Sequence, residues 1–454
     1  MRHRLLRHPL GRWVEPPVAW RALLAEAANS FWLDSGTTGT SYLGASTRVI
    51  GGPDVLGTLR TELAAVAVDP AGGFSLGWVG WLGYELRAAT MGEPVAVSRY
   101  PDAALLFVDR ALAFDHDSGE VSLLALGSED GSWSPELASW RDATVATLES
   151  VRREKTSGGG GRDSRHENVS PAAPAVSWRY TDDDYLAMIA ACQRAITAGD
   201  AYQLCLTSEA SIDVSPDPFE TYLALRESSP THHGGLIVVG EVALLSASPE
   251  QFLAVSPTGL VASSPIKGTR ARGTDAATDA ALRSELEASG KERAENLMIV
   301  DLMRNDIGRI SEIGSVRVPR LLEVESYAHV HQLVSTVTGR LAEGLDAVDA
   351  VTACFPAGSM TGAPKLSATR ILDGLERRPR GIYAGAFGYF GLDGAVDLAM
   401  VIRSIVIDPD GSTIGSGGGI TALSVPHEEL DEVRLKAAAL LAVLGAGPAA
   451  KSEL

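Results

Sequence analysis

Cysteine is scarce in this 454-residue chain. There are three, Cys192, Cys205 and Cys354, and no two share a C-x-x-C spacing. That excludes a disulfide framework and a thiolate zinc site, and it suits a reducing compartment. Positive charge is short as well: 39 lysines and arginines face 57 acidic residues, a formal charge of 39 − 57 = −18. A general affinity for nucleic acid or anionic lipid needs clustered cations, so neither partner is expected. Long apolar runs are missing too, none approaching the ~20 residues of a membrane span. The basic opening MRHRLLRHPLGRWVEPP has no continuous apolar core of the signal-peptide kind. What is present is ordinary globular composition, 45% hydrophobic and 21% charged, which argues against wholesale disorder. The expectation is a soluble, cytoplasmic enzyme.

The length by itself suggests about three domains, or one large unit. One stretch stands apart, residues 155–176, whose KTSGGGGRDSRHENVSPAAPA is rich in Gly, Ser, Pro and mixed charge. Such a segment cannot bury enough apolar area to order itself, and it reads as a flexible linker. It separates an N-terminal part, 1–154, from a C-terminal part, 177–446. The first carries strand-like runs such as AALLF (103–107) and VSLLAL (121–126), and its pattern predicts a helix over 136–152. After the linker, Thr181 and Asp184 make a capping-box-like start. Tyr185, Met188, Ile189, Cys192 and Ile196 follow at helical spacing, and Gly199 ends the helix. Strand-like pieces then arrive in hairpin-like succession, with a long helical region from about 275 to 309 and a closing helix over 428–444. Without strict βαβ alternation, the class is α+β.

Four features could carry chemistry. Glu292 and Glu295 lie at i and i+3 on one helical face, and Glu429 and Glu432 repeat that spacing on another. Two such faces meeting in a cleft would offer oxygen ligands to a hard cation such as Mg²⁺; two solvated helix faces account for the same pattern. The run GSGGGI (415–420) could present bare backbone to an anion, or form a plain tight turn. In FPAGSMTGAPK, Gly358–Gly362 precede a helix opened by Pro364, a terminus suited to anions or simply a capped one. In SPIKGTRARG, Lys267 stands between strand-forming residues and Gly268-Thr269. A lysine desolvated in a cleft becomes a nucleophile, whereas an ordinary one is solvated. Glu250, in SASPEQF, ends a preceding strand, where it could serve as a proton donor or acceptor.

Eight stretches in order, SPEQF, PIKGTRARG, KERAENLMIVDLMRNDIGRI, HQLVSTVTGRL, FPAGSMTGAPK, RGIYAGAFGYF, LAMVIRSI and GSGGGITALS, make the chain from about Thr181 onward resemble the chorismate-utilising enzymes. That family includes the anthranilate, aminodeoxychorismate, isochorismate and salicylate synthases. The resemblance implies a large two-sheet antiparallel sandwich flanked by helices. It implies Glu295 and Glu432 as principal Mg²⁺ carboxylates, with Glu292 and Glu429 beside them through water. It implies Arg403 and Tyr383 at a chorismate carboxylate and the enolpyruvyl side, with Gly268, Thr269, Ser359, Gly417 and Lys436 lining the same pocket. For a dianionic substrate this is coherent, since a guanidinium, an ammonium and a metal supply the counter-charge.

Two positions bear on the branch of the family. Where isochorismate and salicylate synthases place a water-activating lysine, this chain has Gln203, counted here among the substrate-binding positions, and an amide cannot deprotonate water. At Lys267, anthranilate synthases typically carry Ala and aminodeoxychorismate synthases Lys. The resemblance therefore implies a covalent Lys267 intermediate, with Glu250 as general acid/base, in the amination of chorismate at carbon 4. Anthranilate synthesis is the runner-up, and a catalytically silent scaffold the reading from another class. Many relatives have His directly before L-V-S; here Gln332 stands there and His331 one place earlier. A one-residue offset in a strand points to the opposite face, so His331 is not expected to substitute. None of the three cysteines sits on a glycine-flanked elbow, so ammonia is expected from a separate glutamine amidotransferase subunit. The segments LDSG (33–36) and SYLG (41–44) match a tryptophan-binding place in some relatives, but SSPTHHGGL departs from the partner motif.

Overall fold

The computed structural model describes residues 2–70, 72–157, 173–327 and 330–447. Most of the expected linker, 158–172, lies outside the described residues. Its two ends are regular: the helix expected over 136–152 spans Pro135–Ser157, and Val176 begins a short strand. Glu149 and Arg153, an i,i+4 pair at 3.6 Å, continue the helical pattern past the predicted end.

Two large sheets form an α+β sandwich; the patterning implied the class and the family resemblance the sandwich. The larger has thirteen strands and the smaller ten. Pairing is antiparallel throughout except between Arg2–Pro9 and Ala67–Val68. Strands from either side of the linker share both sheets. Asn29–Asp34 pairs with His233–Val239 in the larger, and Gly77–Leu82 with Ala386–Gly391 in the smaller. The two sequence regions are therefore interwoven in one unit.

Period-two alternation decides which residues fill the space between the sheets. Phe31, Ile237 and Leu244 of the larger sheet pack there with Val79, Trp81 and Phe387 of the smaller. Their neighbours Trp32, Leu236 and Leu245 face outward, against helical residues such as Tyr222, Leu225 and Leu440. Trp78 and Leu82 do likewise on the other side, joining Ile299, Met303, Val348 and Val351. Both faces of each sheet are thus buried, which is why the central strands read as near-continuous apolar runs.

Several local signals act as the residues dictate. The Thr181 hydroxyl accepts from Asp184 N (3.1 Å) at the start of Asp182–Thr197. Asp346 and Asp349 close a reciprocal capping box on Ala347–Cys354. The long helical region expected over 275–309 is two helices, Ala276–Ala288 and Gly290–Gly308. Ser289 divides them: its extended backbone (ψ 110°) stops one helix, while its hydroxyl caps the next by accepting from Glu292 N. The glycine run is neither turn nor loop. It lies within the ten-residue strand Gly411–Ile420, hydrogen-bonded to Gln203–Ile212.

Candidate active site

A cavity of about 600 Å³ opens where the strands Ile266–Ala271 and Gly411–Ile420 meet the helices Gly290–Gly308 and Pro426–Val443. It gathers residues far apart in sequence: Glu250, Lys267, Gly268, Thr269, Glu292, Glu295, Ser359, Tyr383, Arg403, Gly417, Glu429, Glu432 and Lys436. Another cavity, of about 670 Å³, lies against the helix Pro135–Ser157. Its cations are already neutralised, Arg110 by Asp109 and Glu136 and Arg48 by Glu62, so chemistry belongs to the first.

Lys267 owes its place to a bulge. Ile266 pairs with Val334 but Thr269 with Gln332, so Lys267 and Gly268 together oppose a single residue. Gly268 takes left-handed backbone (φ 86°), and a Cβ there would come within 2.8 Å of Leu286 and 3.0 Å of Glu292. The bulge turns half-buried Lys267 into the cavity, where its charge acts on Glu250, Glu295 and Glu432. Glu250 is 8% exposed. Burial raises its pKa, against the opposing pull of Lys267, the Ser359 hydroxyl and the Ile266 N–H. A carboxyl so placed holds a proton more readily than a solvated one.

Three of the four helix-borne carboxylates are ion-paired to a cation. Glu432 pairs with Lys436 at 2.7 Å, Glu429 with Lys291 at 3.6 Å and Glu292 with Arg270 at 3.6 Å. Glu429 is nearly buried and also accepts from the Ser424 hydroxyl at 2.7 Å. Glu295 is raised by burial, partly countered by Lys267 and Lys291, and its Oε1 is buried without a hydrogen-bond partner. Burial also pushes Glu432 upward, but Lys436, Lys291 and Lys267 outweigh it and the net shift is down. An all-oxygen donor set with an orphaned carboxylate oxygen suits a hard divalent cation. Among the described residues, however, no three acidic, histidine or cysteine side chains converge as a ready-made ligand group.

The opposite wall is built for an anion. Arg403 stands in left-handed backbone (φ 48°) and makes no ion pair among the described residues. It keeps an exposed face, yet the enclosing protein desolvates its charge enough to lower its pKa. Tyr383 is 8% exposed, and burial raises its phenol far above the usual range. Its ring lies against Gly415, where a Cβ would fall 2.0 Å from a ring carbon. Lys436 donates to the Gly417 carbonyl at 2.9 Å. The glycine strand is bare because both its faces are crowded: a Cβ at Gly418 would lie 3.2 Å from Glu429 Oε2, and one at Gly419 2.2 Å from Gln203 Nε2.

Gln203 is the exception among the expected site residues. It is 1% exposed, does not line the cavity, and packs beneath Gly419 with its Oε1 unpartnered. Strand parity decides the neighbouring question: Gln332 lines the cavity and His331 does not. The His331 ring is tied instead to Asp279 (3.0 Å) and the Ser326 hydroxyl (2.8 Å). At the segments compared with a tryptophan site, Asp34 accepts from Tyr222, Arg226, Ser41 and Gly36 N, which uses up its acceptor capacity.

Sequence reasoning missed Lys291, Arg270 and Cys205 on the cavity wall. Lys291 is detectable in principle, since it lies one helical turn before Glu295. It also missed the support beneath. Arg380 is 4% exposed and pairs with Glu376, and it donates to the Met360 and Cys205 carbonyls at 2.6 and 2.9 Å. That single guanidinium joins the turn carrying Ser359 to the strand behind the glycines.

The sandwich and its cavity define a chorismate-type enzyme fold, and residues 15–442 match the family model of the chorismate binding enzyme. The chain belongs to that family. It is 46% identical to an aminodeoxychorismate synthase of Streptomyces griseus, over 86% of this chain and 52% of that protein. It is 43% identical to one of Streptomyces pristinaespiralis, over 94% and 63%. The chain thus spans about half to two thirds of the length of these curated relatives. Among solved structures, anthranilate synthase component I of Streptococcus pneumoniae superposes with a TM-score of 0.71 at 28% identity, covering 96% of this chain and 99% of that one. No helix among the described residues is long and apolar enough to cross a membrane.

Proposed function

We propose that the chain aminates chorismate at carbon 4, giving 4-amino-4-deoxychorismate for 4-aminobenzoate and folate synthesis. The observation that carries this reading is Lys267, turned into the cavity beside buried Glu250 by the bulge at Gly268. The relatives named aminodeoxychorismate synthase support it.

Arg403 grips a substrate carboxylate through its guanidinium fork, and Lys436 and the Tyr383 hydroxyl flank the rest of the dianion. Glu292, Glu295, Glu429 and Glu432 would hold Mg²⁺, which would supply counter-charge to the substrate when bound. Lys267 attacks carbon 2 as the free amine. Both ring double bonds shift by one position, and the hydroxyl on carbon 4 departs as water with a proton from Glu250. The Glu250 carboxylate then recovers a proton from the alkylated Lys267 nitrogen. Ammonia adds at carbon 4, both double bonds return, and Lys267 leaves as its amine with the surplus proton of the new amino group. Two allylic displacements replace one difficult displacement.

Ammonia comes, in this reading, from a separate glutamine amidotransferase. Cys192, Cys205 and Cys354 are all buried. Burial raises every one of the three thiols, Cys192 and Cys354 to about 12. None is a competent glutaminase nucleophile at neutral pH. The likeness to anthranilate synthase component I supports a second reading, direct addition of ammonia at carbon 2.

Incubation with chorismate, Mg²⁺ and ammonium, followed by an aminodeoxychorismate lyase, separates the readings. 4-Aminobenzoate is expected; anthranilate would select the second, and no turnover would leave a scaffold. Lys267→Ala is expected to lose at least ~100-fold of the carbon-4 product, the usual scale for a missing nucleophile. Trapped wild-type chain should carry a substrate adduct on Lys267 by mass spectrometry. Full activity in Lys267→Ala removes the covalent step.

A further inference from the structure

Two helices supply the carboxylates, Gly290–Gly308 and Pro426–Val443, and three of the four acids, Glu292, Glu429 and Glu432, are ion-paired to a nearby cation. Those cations are not equally tethered. Lys436 is tied to the Gly417 carbonyl as well as to Glu432. Arg270 pairs with Glu285 and donates to the Thr269 carbonyl besides facing Glu292. Lys267 belongs to the bulge. Lys291 differs: its side chain is 54% exposed at the cavity rim, and Glu429 is its one ion-pair partner among the described residues. This pair, at 3.6 Å, is also the one ion pair joining the two acid-bearing helices among those residues.

The partners are unlike in freedom. Glu429 is fixed, 5% exposed in its side chain and held by the Ser424 hydroxyl. Lys291 sits on a flexible stem with water on one side, so it can leave at small cost, because a half-exposed ion pair contributes little net stability. While in place its ammonium acts on all four carboxylates. It occupies the electrostatic role that a divalent cation would fill, which accords with the lack of a converged ligand group among the described residues.

We propose that Lys291 is an interim counter-ion of the carboxylate quartet: it neutralises the acids while no divalent cation is bound and must swing toward solvent when one binds. The inference rests on the Mg²⁺ reading given above. It makes Lys291 a positioning residue that lowers metal affinity by competing for the same oxygens. The bare quartet would repel itself, so the lysine trades some metal affinity for a settled site before loading.

The test is Mn²⁺ binding without chorismate, followed by the electron paramagnetic resonance signal of the free ion. Lys291→Met keeps a comparable stem and removes the charge. It should bind Mn²⁺ roughly three- to tenfold more tightly than wild type, the scale of one nearby charge at a partly exposed site. Lys291→Arg should match wild type. Arg293→Met, which removes an exposed charge from the same helix, should also leave the affinity unchanged. Melting in EDTA should be lower for Lys291→Met than for wild type, and saturating Mg²⁺ should close that gap. Affinity of Lys291→Met within twofold of wild type, or weaker, overturns the inference and leaves the metal reading standing. Absence of Mn²⁺ binding in all four proteins, with melting showing them folded, overturns both.

Discussion

Two cations, Lys267 and Arg403, enter the cavity from backbone that departs from regular strand, and the departure is what aims them. Lys267 sits in a bulge completed by Gly268, and Arg403 in left-handed backbone that a non-glycine residue adopts at a cost of about 1 kcal/mol or more. A residue kept there needs a reason beyond stability. Arg403→Gly should therefore leave the melting temperature unchanged or slightly raised, since relief of strain offsets the entropy of the added glycine. It should weaken chorismate binding at least ~10-fold through loss of the guanidinium fork. Arg403→Lys, which keeps charge without the fork, should fall between. Equilibrium binding and thermal melts on the same samples check this; undiminished affinity in Arg403→Gly would remove Arg403 from the site. Residue chemistry of this kind was legible in the sequence only as a set. Neither the bulge nor the strained φ is encoded by Lys267 or Arg403 alone: the bulge needs Val334 and Gln332 on another strand, and the Arg403 carbonyl accepts from Ala247 N, far away in sequence.

At the scale of elements, the glycine strand Gly411–Ile420 is the most demanding, because it must lie between packed groups without side chains of its own. Gly415→Ala would drive a Cβ to within 2.0 Å of the Tyr383 ring, with Tyr383 itself buried. Over-packing of this degree costs about 1–3 kcal/mol. Urea unfolding should show that loss, and Tyr383→Leu on the Gly415→Ala background should recover part of it, a coupling detectable by a double-mutant cycle. Independent, additive losses would contradict the contact. The sequence marked these glycines as unusual but left a turn and a ligand cradle equally open. The pairing with Gln203–Ile212 that makes them a strand is a long-range fact. Local signals fared better where their physics is local. The cap at Thr181, the buried stripe Tyr185–Met188–Ile189–Cys192, and the parity of His331 and Gln332 all depend on neighbours in sequence. The break at Ser289 was local as well. It went unread because helical residues on both sides hid a serine that ends one helix and caps another.

At the scale of the molecule, the N-terminal and C-terminal parts are joined beneath the cavity by a buried polar network invisible to sequence patterning. Glu85 is 3% exposed and accepts from Arg380 N at 2.8 Å and Gly381 N at 2.9 Å. Arg380 also lies over the Tyr84 ring at 4.3 Å. Burial raises the Glu85 pKa from its ordinary 4.5 to about 7, although both backbone donors and the charges of Arg380 and Arg87 oppose the shift. A carboxyl raised on folding stabilises the native state fully below about pH 4.5, where it is protonated whether folded or not. That contribution is lost as pH rises toward 7, because the unfolded chain releases its proton first. A shift of this size corresponds to about 3 kcal/mol across the window. Glu85→Gln, which cannot ionise, lacks the slope but presents an amide N–H₂ to one of the two backbone donors, so it starts less stable at acid pH. Urea midpoints measured from pH 4.5 to 8 should therefore converge, with the variant gaining on wild type by up to about 3 kcal/mol by pH 8. Parallel curves would mean that Glu85 titrates near its ordinary value. The junction would then be held by a permanently charged Glu85, and the floor beneath Ser359 and the glycine strand would not loosen as neutral pH is approached.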